Sequence, residues 1–219
     1  MEIPATRPGK FPTPTVAWER PDDPAQPLVI LLHGRGSRES EIIGLAGHLP
    51  DGASYAALRA PIQEGPGFAW FANRGIGRPL PDSLAMTMAW FKDWLEEAAP
   101  AGRPVLLVGF SGGAAFAGGL ILDQPERFKG AAILYGTLPF DAGVPTGPGR
   151  LQDVPMFVAQ GESDTVIPAE LMDATWKYLA AGSGARTTGI RTAGGHRLDA
   201  PGAAALAGWL EEQLPGADT

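Results

Sequence analysis

Short apolar runs alternate with longer amphipathic stretches along this chain. Leu28-Val29-Ile30-Leu31-Leu32, Val105-Leu106-Leu107-Val108, Ala131-Ala132-Ile133-Leu134-Tyr135 and Val154-Pro155-Met156-Phe157-Val158-Ala159 are uninterrupted by charge, the pattern of strands covered on both faces. Ser54 to Leu58 reads as a further strand, Thr187 to Arg191 as a weaker one and Thr15 to Trp18 as an edge strand. Leu84, Met88, Phe91 and Leu95 recur at helical spacing, which predicts a helix over Asp82 to Ala98 with Asp82 as its N-cap. Arg38 to His48 predicts a short helix carrying Ile42, Ile43 and Leu45 and stopped by Pro50. Ala114 to Leu122 predicts a small-residue helix packed close behind its strand, and Ala169 to Ala181 another helix. Gly202 to Leu214 predicts the last, with Pro201 at a tolerated first-turn position.

Repeated alternation of strand and helix predicts the α/β class, with a mostly parallel central sheet and helices on both faces. Ligands to such sheets sit beyond the carboxyl ends of the strands. With 219 residues and 44% hydrophobic content the chain can bury a full core, and no low-complexity linker divides it, so one domain over 1–219 is expected. Residues 1–14, rich in proline, read as a loose arm and 215–219 as a loose tail. Ala60 to Pro81 stands apart: it is rich in proline and glycine yet carries Phe68, Trp70 and Phe71, and so long a loop with large aromatics reads as functional.

Charge and cysteine count narrow the chemistry. A net charge of −7 and a pI near 4.9 argue against a nucleic-acid or anionic-membrane surface. The absence of cysteine excludes disulfides, thiolate metal sites and a cysteine nucleophile together. Residues 1–8 lack an apolar core of signal-peptide length and no apolar run approaches roughly 20 residues, so a cytoplasmic location is the expectation.

Gly109-Phe110-Ser111-Gly112-Gly113 is a G-x-S-x-G pentapeptide. With 30 glycines in 219 residues, such a match arises by chance in roughly one chain in eight, so its position matters more than its letters. It falls between a covered strand and a helix, where a sharp turn lifts a serine hydroxyl toward a base and small neighbours permit the turn. The base must come from His33, His48 or His196. His48 ends a short helix and reads as a surface residue, and His33 closes a strand where it would hold the following loop by hydrogen bonds. His196, in Ala193-Gly194-Gly195-His196, lies in a glycine-flanked loop at the same sheet edge as Ser111 and is the expected base. Asp164, after the strand ending at Ala159, is the expected carboxylate; Asp141 is the alternative, and Glu162 reads as a plain loop carboxylate. The order Ser111, Asp164, His196 is that of an α/β-hydrolase sheet. The backbone N–H groups of Gly112 and Arg35 are the expected donors to a tetrahedral oxyanion, and the Arg35 guanidinium has Glu39 or Glu41 as candidate partners.

Two other chemistries fit poorly. Gly34-Arg35-Gly36-Ser37-Arg38-Glu39 would put a carboxylate toward a pyrophosphate, against a dinucleotide site. The scattered histidines give no H-x-x-H or H-E-x-x-H spacing for a metal hydrolase. A non-catalytic α/β-hydrolase binding a small ligand remains the alternative from another class.

Six segments taken in order resemble the phospholipase/carboxylesterase family of small α/β-hydrolases. They are Leu32-His33-Gly34-Arg35-Gly36, Ala69-Trp70-Phe71, Gly109 to Gly113, Tyr135-Gly136-Thr137-Leu138-Pro139, Asp164-Thr165-Val166-Ile167-Pro168 and Gly195-His196. The resemblance implies one domain without a large cap, a Ser111-Asp164-His196 triad, hydrolysis of esters or thioesters through an acyl-serine, and no cofactor or metal. It also implies an acyl pocket lined by Trp70, Phe71 and Leu138. The expected partner is a small-molecule ester, with no nucleic acid or membrane and a homodimer left open. Many relatives carry glutamine where Gly112 stands and histidine where Gln160 stands, differences that bear on substrate choice.

Overall fold

The computed structural model describes residues 11–214. Residues 1–10 of the expected arm and the expected 215–219 tail lie outside them. In chain order the strands are β1 (Val16–Trp18), β2 (Leu28–Leu32), β3 (Ser54–Leu58), β4 (Ile62–Glu64), β5 (Gly67–Ala69), β6 (Asn73–Gly75), β7 (Arg78–Pro79), β8 (Val105–Phe110), β9 (Gly130–Leu134), β10 (Pro155–Gly161) and β11 (Arg186–Thr192). The helices are α1 (Glu39–Ile42), α2 (Pro81–Ala98), α3 (Gly112–Asp123), α4 (Ala169–Lys177) and α5 (Ala200–Gln213).

Seven strands form one sheet in the order β1-β3-β2-β8-β9-β10-β11. Among the described residues of this sheet only β1 runs antiparallel. The apolar runs are continuous because both faces are covered. Leu28, Ile30, Leu32, Val105 and Leu107 pack toward one cluster with Phe91 of α2 and Phe116 of α3. Val29, Leu31, Leu106 and Val108 point the other way, toward Leu206, Trp209 and Leu210 of α5 and Ile42 of α1. Strand order reverses at β2, with β3 on one side and β8 on the other. The crevice between the carboxyl ends of β2 and β8 is therefore the switch point where such sheets hold ligands, and Arg35 and Ser111 both lie just beyond those ends.

Helix α3 is buried over almost its whole length. Its small residues are needed: a Cβ at Gly118 would stand 2.6 Å from Leu138 Cδ2, and one at Gly119 3.0 Å from Met88 Sδ.

Three local expectations are corrected. Helix α2 starts at Pro81 with Leu80 in the cap position and no side-chain cap, so Asp82 lies within its first turn; proline's fixed φ starts the helix without help. The stretch Ala60 to Pro81 is two small hairpins, β4–β5 and β6–β7, rather than an irregular loop. It is tied to the β2 loop by Gly36 N–H donating to Phe68 O (2.8 Å) and Phe68 N–H to Ser37 O (3.1 Å). The 11–14 part of the N-terminal stretch is held against α2, where Trp90 Nε1–H donates to Pro12 O (2.6 Å) and Phe11 meets the Trp90 ring edge-on.

Candidate active site

Ser111 occupies the turn from β8 to α3 with φ 55° and ψ −113°, a backbone state costly for any residue with a Cβ. The turn is held by what surrounds it. Ser111 N–H donates to Leu134 O (2.9 Å), extending the β8–β9 ladder one residue into the turn. A Cβ at Gly109 would lie 2.2 Å from Gly113 O, and one at Gly113 2.1 Å from Leu32 O. Both positions therefore demand glycine, which gives the pentapeptide a steric basis in this chain.

The structure brings Ser111, His196 and Asp164 together. His196 Nε2 lies 2.9 Å from Ser111 Oγ and its Nδ1 lies 2.8 Å from Asp164 Oδ2. The Asp164 carboxylate is fully buried, and its Oδ1 accepts from the N–H groups of Val166 (2.8 Å) and Ile167 (3.1 Å). An ionised carboxylate only accepts, so Nδ1 carries the hydrogen and Nε2 is left bare to accept the seryl proton. The loops bearing the acid and the histidine pack backbone to backbone: a Cβ at Gly161 would lie 2.5 Å from both Gly194 O and Gly195 O. The Ser163 N–H donates to Gly194 O (3.0 Å). Asp141 is exposed, and the contact it makes is through its carbonyl, which accepts from Arg74 (3.2 Å). Glu162 is likewise exposed.

The two amides expected to face an oxyanion sit opposite each other, since a Cβ at Gly112 would stand 3.2 Å from Arg35 N. Among the described residues neither amide has an acceptor. The Arg35 side chain is occupied elsewhere, bonding Glu64 (2.8 and 2.9 Å) and Phe71 O (3.1 Å). Its sequence-expected partners are taken: Glu39 by Arg59 (2.6 Å) and Glu41 by Ser37 Oγ (2.5 Å). His33 does hold its loop, donating from Nδ1 to Gly34 O (2.7 Å) and accepting at Nε2 from Ala60 N–H (3.1 Å). Burial holds its pKa below the ordinary value, so the ring stays neutral. Gln160 bonds Met172 O (2.8 Å) and ties β10 to α4.

A cleft of about 530 Å³ opens beside Ser111 and His196, with Ile42, Leu45, Phe110 and Leu198 on its apolar side. It lies toward the α1 and α5 face of the sheet. Trp70, Phe71 and Leu138 do not line it, and the expected acyl wall is corrected accordingly. All three are buried on the opposite face. Trp70 donates its indole N–H to His33 O (2.8 Å) and stacks on Phe116 at 4.5 Å, so it is a core residue that braces the β2 loop. In the sequence Ile42 and Leu45 mark only the apolar side of a short helix; their place just after the glycine loop of β2 is the signal that they can face the site.

A Ser-Asp-His order on a parallel sheet, with the serine in a strand-to-helix turn at the switch point, defines an α/β-hydrolase. The chain belongs to the phospholipase/carboxylesterase family, whose sequence profile matches residues 14–212. It is 26% identical over 192 residues to MhqD of Bacillus subtilis (strain 168), a protein provisionally named a hydrolase, covering 85% of this chain and 94% of that one. Among solved structures it is similar to a carboxylesterase from Mesorhizobium loti (26% identity, TM-score 0.75, covering 85% of this chain and 90% of that one). It also shares the fold of the Bacillus cereus carboxylesterase (21% identity, TM-score 0.79, covering 91% and 94%). The protein is thus an esterase-type hydrolase. Among the described residues no helix is long and apolar enough to cross a membrane, and no group of three or more His, Cys, Asp or Glu side chains could hold a metal ion.

Proposed function

We propose that the protein hydrolyses small-molecule carboxylic esters through an acyl-serine, with Ser111 as nucleophile, His196 as general base and acid, and Asp164 as the carboxylate that orients it. The observation that carries this reading is the unbroken relay from Asp164 Oδ2 through His196 to Ser111 Oγ, with bonds of 2.8 and 2.9 Å. Ser111 Oγ attacks the ester carbonyl carbon while its proton passes to His196 Nε2. The carbonyl oxygen becomes an oxyanion received by the N–H groups of Arg35 and Gly112. The C–O bond then breaks, the imidazolium gives its proton to the leaving alcohol, and an acyl-serine remains. Water repeats the sequence: His196 takes its proton, the hydroxide adds to the acyl carbon, and collapse returns the proton to Ser111 as the acid departs. A thioester would follow the same course with a thiol leaving.

Ile42, Leu45, Phe110 and Leu198 offer an apolar wall to a small or medium chain on the substrate, in a cleft of about 530 Å³. The net charge of −7 favours a small-molecule partner over nucleic acid. A fluorophosphonate probe should label Ser111 alone, and His196→Ala should slow that labelling by orders of magnitude. Labelling elsewhere, or at an undiminished rate without His196, would overturn the assignment.

A further inference from the structure

We propose that Tyr135 is a positioning residue for His196: its buried phenol ties together the two ends of the loop that carries the base. The proposal rests on the reading of His196 as the general base. That loop runs from Thr192, the last residue of β11, to Asp199, the N-cap of α5. Its first half is fastened to the acid loop, with Glu162 N–H donating to Thr192 O (2.8 Å), Ser163 Oγ–H to Ala193 O (3.1 Å) and Ser163 N–H to Gly194 O (3.0 Å). After Arg197 N–H, which donates to Gly195 O (2.9 Å), and apart from the bonds of the His196 ring itself to Asp164 and Ser111, the anchor of the second half outside its own helix is, among the described residues, the phenol of Tyr135.

The Tyr135 hydroxyl donates to Asp199 Oδ1 at 3.2 Å and so accepts from Thr192 Oγ1–H, also at 3.2 Å. Asp199 Oδ1 in turn accepts from Gly202 N–H at 3.0 Å and caps α5. One phenol thus spans the entry and exit of the histidine loop and fixes the start of the helix behind it. The tyrosine is itself held firmly. It is completely buried, its backbone is in the left-handed region at φ 45°, and its N–H donates to Ala159 O (2.8 Å). The residue before it, Leu134, anchors Ser111 N–H, so nucleophile and base are referred to adjacent residues at one strand end. Phe110 fills the space between, its ring 6.1 Å from that of Tyr135 and 5.2 Å from that of His196. The space is fitted to the phenol: a Cβ at Gly202 would stand 2.8 Å from its oxygen.

Removing the hydroxyl unties the two ends of the loop from each other without touching substrate, leaving the base held by Asp164 and the Asp199 cap alone. A displacement of the base by about 1 Å costs up to about 10²-fold in rate, so Tyr135→Phe should lower kcat about 10- to 100-fold with KM within about twofold. Fluorophosphonate labelling of Ser111 should slow by the same factor. Asp199→Ala, which removes both the phenol's partner and the cap, should lose at least as much. Asp199→Asn keeps an acceptor oxygen and should retain most of the activity. The double variant Tyr135→Phe/Asp199→Ala should be no worse than Asp199→Ala, because the two act through one contact. A folded Tyr135→Phe enzyme with wild-type kcat and labelling would overturn the proposal, as would strictly multiplicative losses. Should Tyr135→Phe fail to fold, the contrast between Asp199→Ala and Asp199→Asn carries the same test. Brisk labelling of His196→Ala would instead strike the triad, so the two readings fail separately.

Discussion

Replacing Asp164 by asparagine exchanges one oxygen for NH2 at nearly constant volume, and the surroundings dictate which oxygen. Oδ1 receives the N–H groups of Val166 and Ile167 at 2.8 and 3.1 Å, while Oδ2 faces His196 Nδ1 at 2.8 Å. An NH2 group cannot face two N–H donors, so the asparagine carbonyl keeps the backbone side and the NH2 turns toward the imidazole. A donor at that place selects the tautomer with Nδ1 bare and the hydrogen on Nε2, which cannot accept the Ser111 proton. Flipping the amide to recover the working tautomer would strand the buried Ile167 N–H at about 1–3 kcal/mol and the part-buried Val166 N–H at up to as much again. About 1–6 kcal/mol therefore holds the wrong tautomer, which at 1.36 kcal/mol per decade is a loss of about 5-fold to 10⁴-fold in kcat. The assay is kcat/KM on an aryl ester, with circular dichroism to establish that the variant is folded. Activity within threefold of wild type would refute the reasoning, as would Asp141→Asn proving the more harmful change.

Trp70→Ala should cost about 3–5 kcal/mol in urea unfolding, since it opens a core cavity against Phe116 and strands the His33 carbonyl; a stable variant with altered chain-length preference would restore Trp70 to the pocket wall. Leu45→Trp should fill the cleft and reduce kcat/KM for long esters by about 10-fold or more relative to acetyl esters, read from series lengthened first on the acyl and then on the alcohol side. An unchanged profile on both sides would place the substrate elsewhere. Because burial depresses the pKa of His33 from 6.5, its stabilising contribution is complete above about pH 6.5 and is lost as pH falls, when the unfolded chain takes up a proton that the folded one refuses. Urea midpoints at pH 7.5 and pH 5.5 should diverge more for wild type than for His33→Gln, and equal losses would contradict this.

The strands were legible because parallel strands covered on both faces cannot carry charge: Leu28–Leu32 and Ser54–Leu58 match their read boundaries to the residue. The residues that meet in the candidate site were legible for a related reason. Gly109, Gly113 and Gly161 are required because a Cβ at any of them would stand 2.1 to 2.5 Å from a backbone oxygen, and such close packing leaves its mark as glycine-rich punctuation around Ser111 and Asp164. Side-chain destination was less readable. Trp70 sits in a segment that looks like a binding loop, but two hairpins order that segment through main-chain pairing, which side-chain periodicity does not record. Ile42 and Leu45 suit a core stripe and a cleft wall equally well by hydrophobicity, and only the switch-point geometry separates the two. Tyr135 followed an apolar run and read as its last strand residue, whereas its positive φ turns the chain there.

In the proposed reaction Ser111 carries the acyl group between two half-reactions. Rapid mixing of enzyme with excess p-nitrophenyl acetate, with intact mass and peptide mapping of acid-quenched samples, tests it most directly. At most one equivalent of acetyl is expected, carried on the peptide containing Ser111, formed at a rate no slower than turnover and absent from Ser111→Ala, whose kcat should fall by about 10⁴ to 10⁶. An acetyl group on another residue, or substantial turnover by Ser111→Ala, would contradict it.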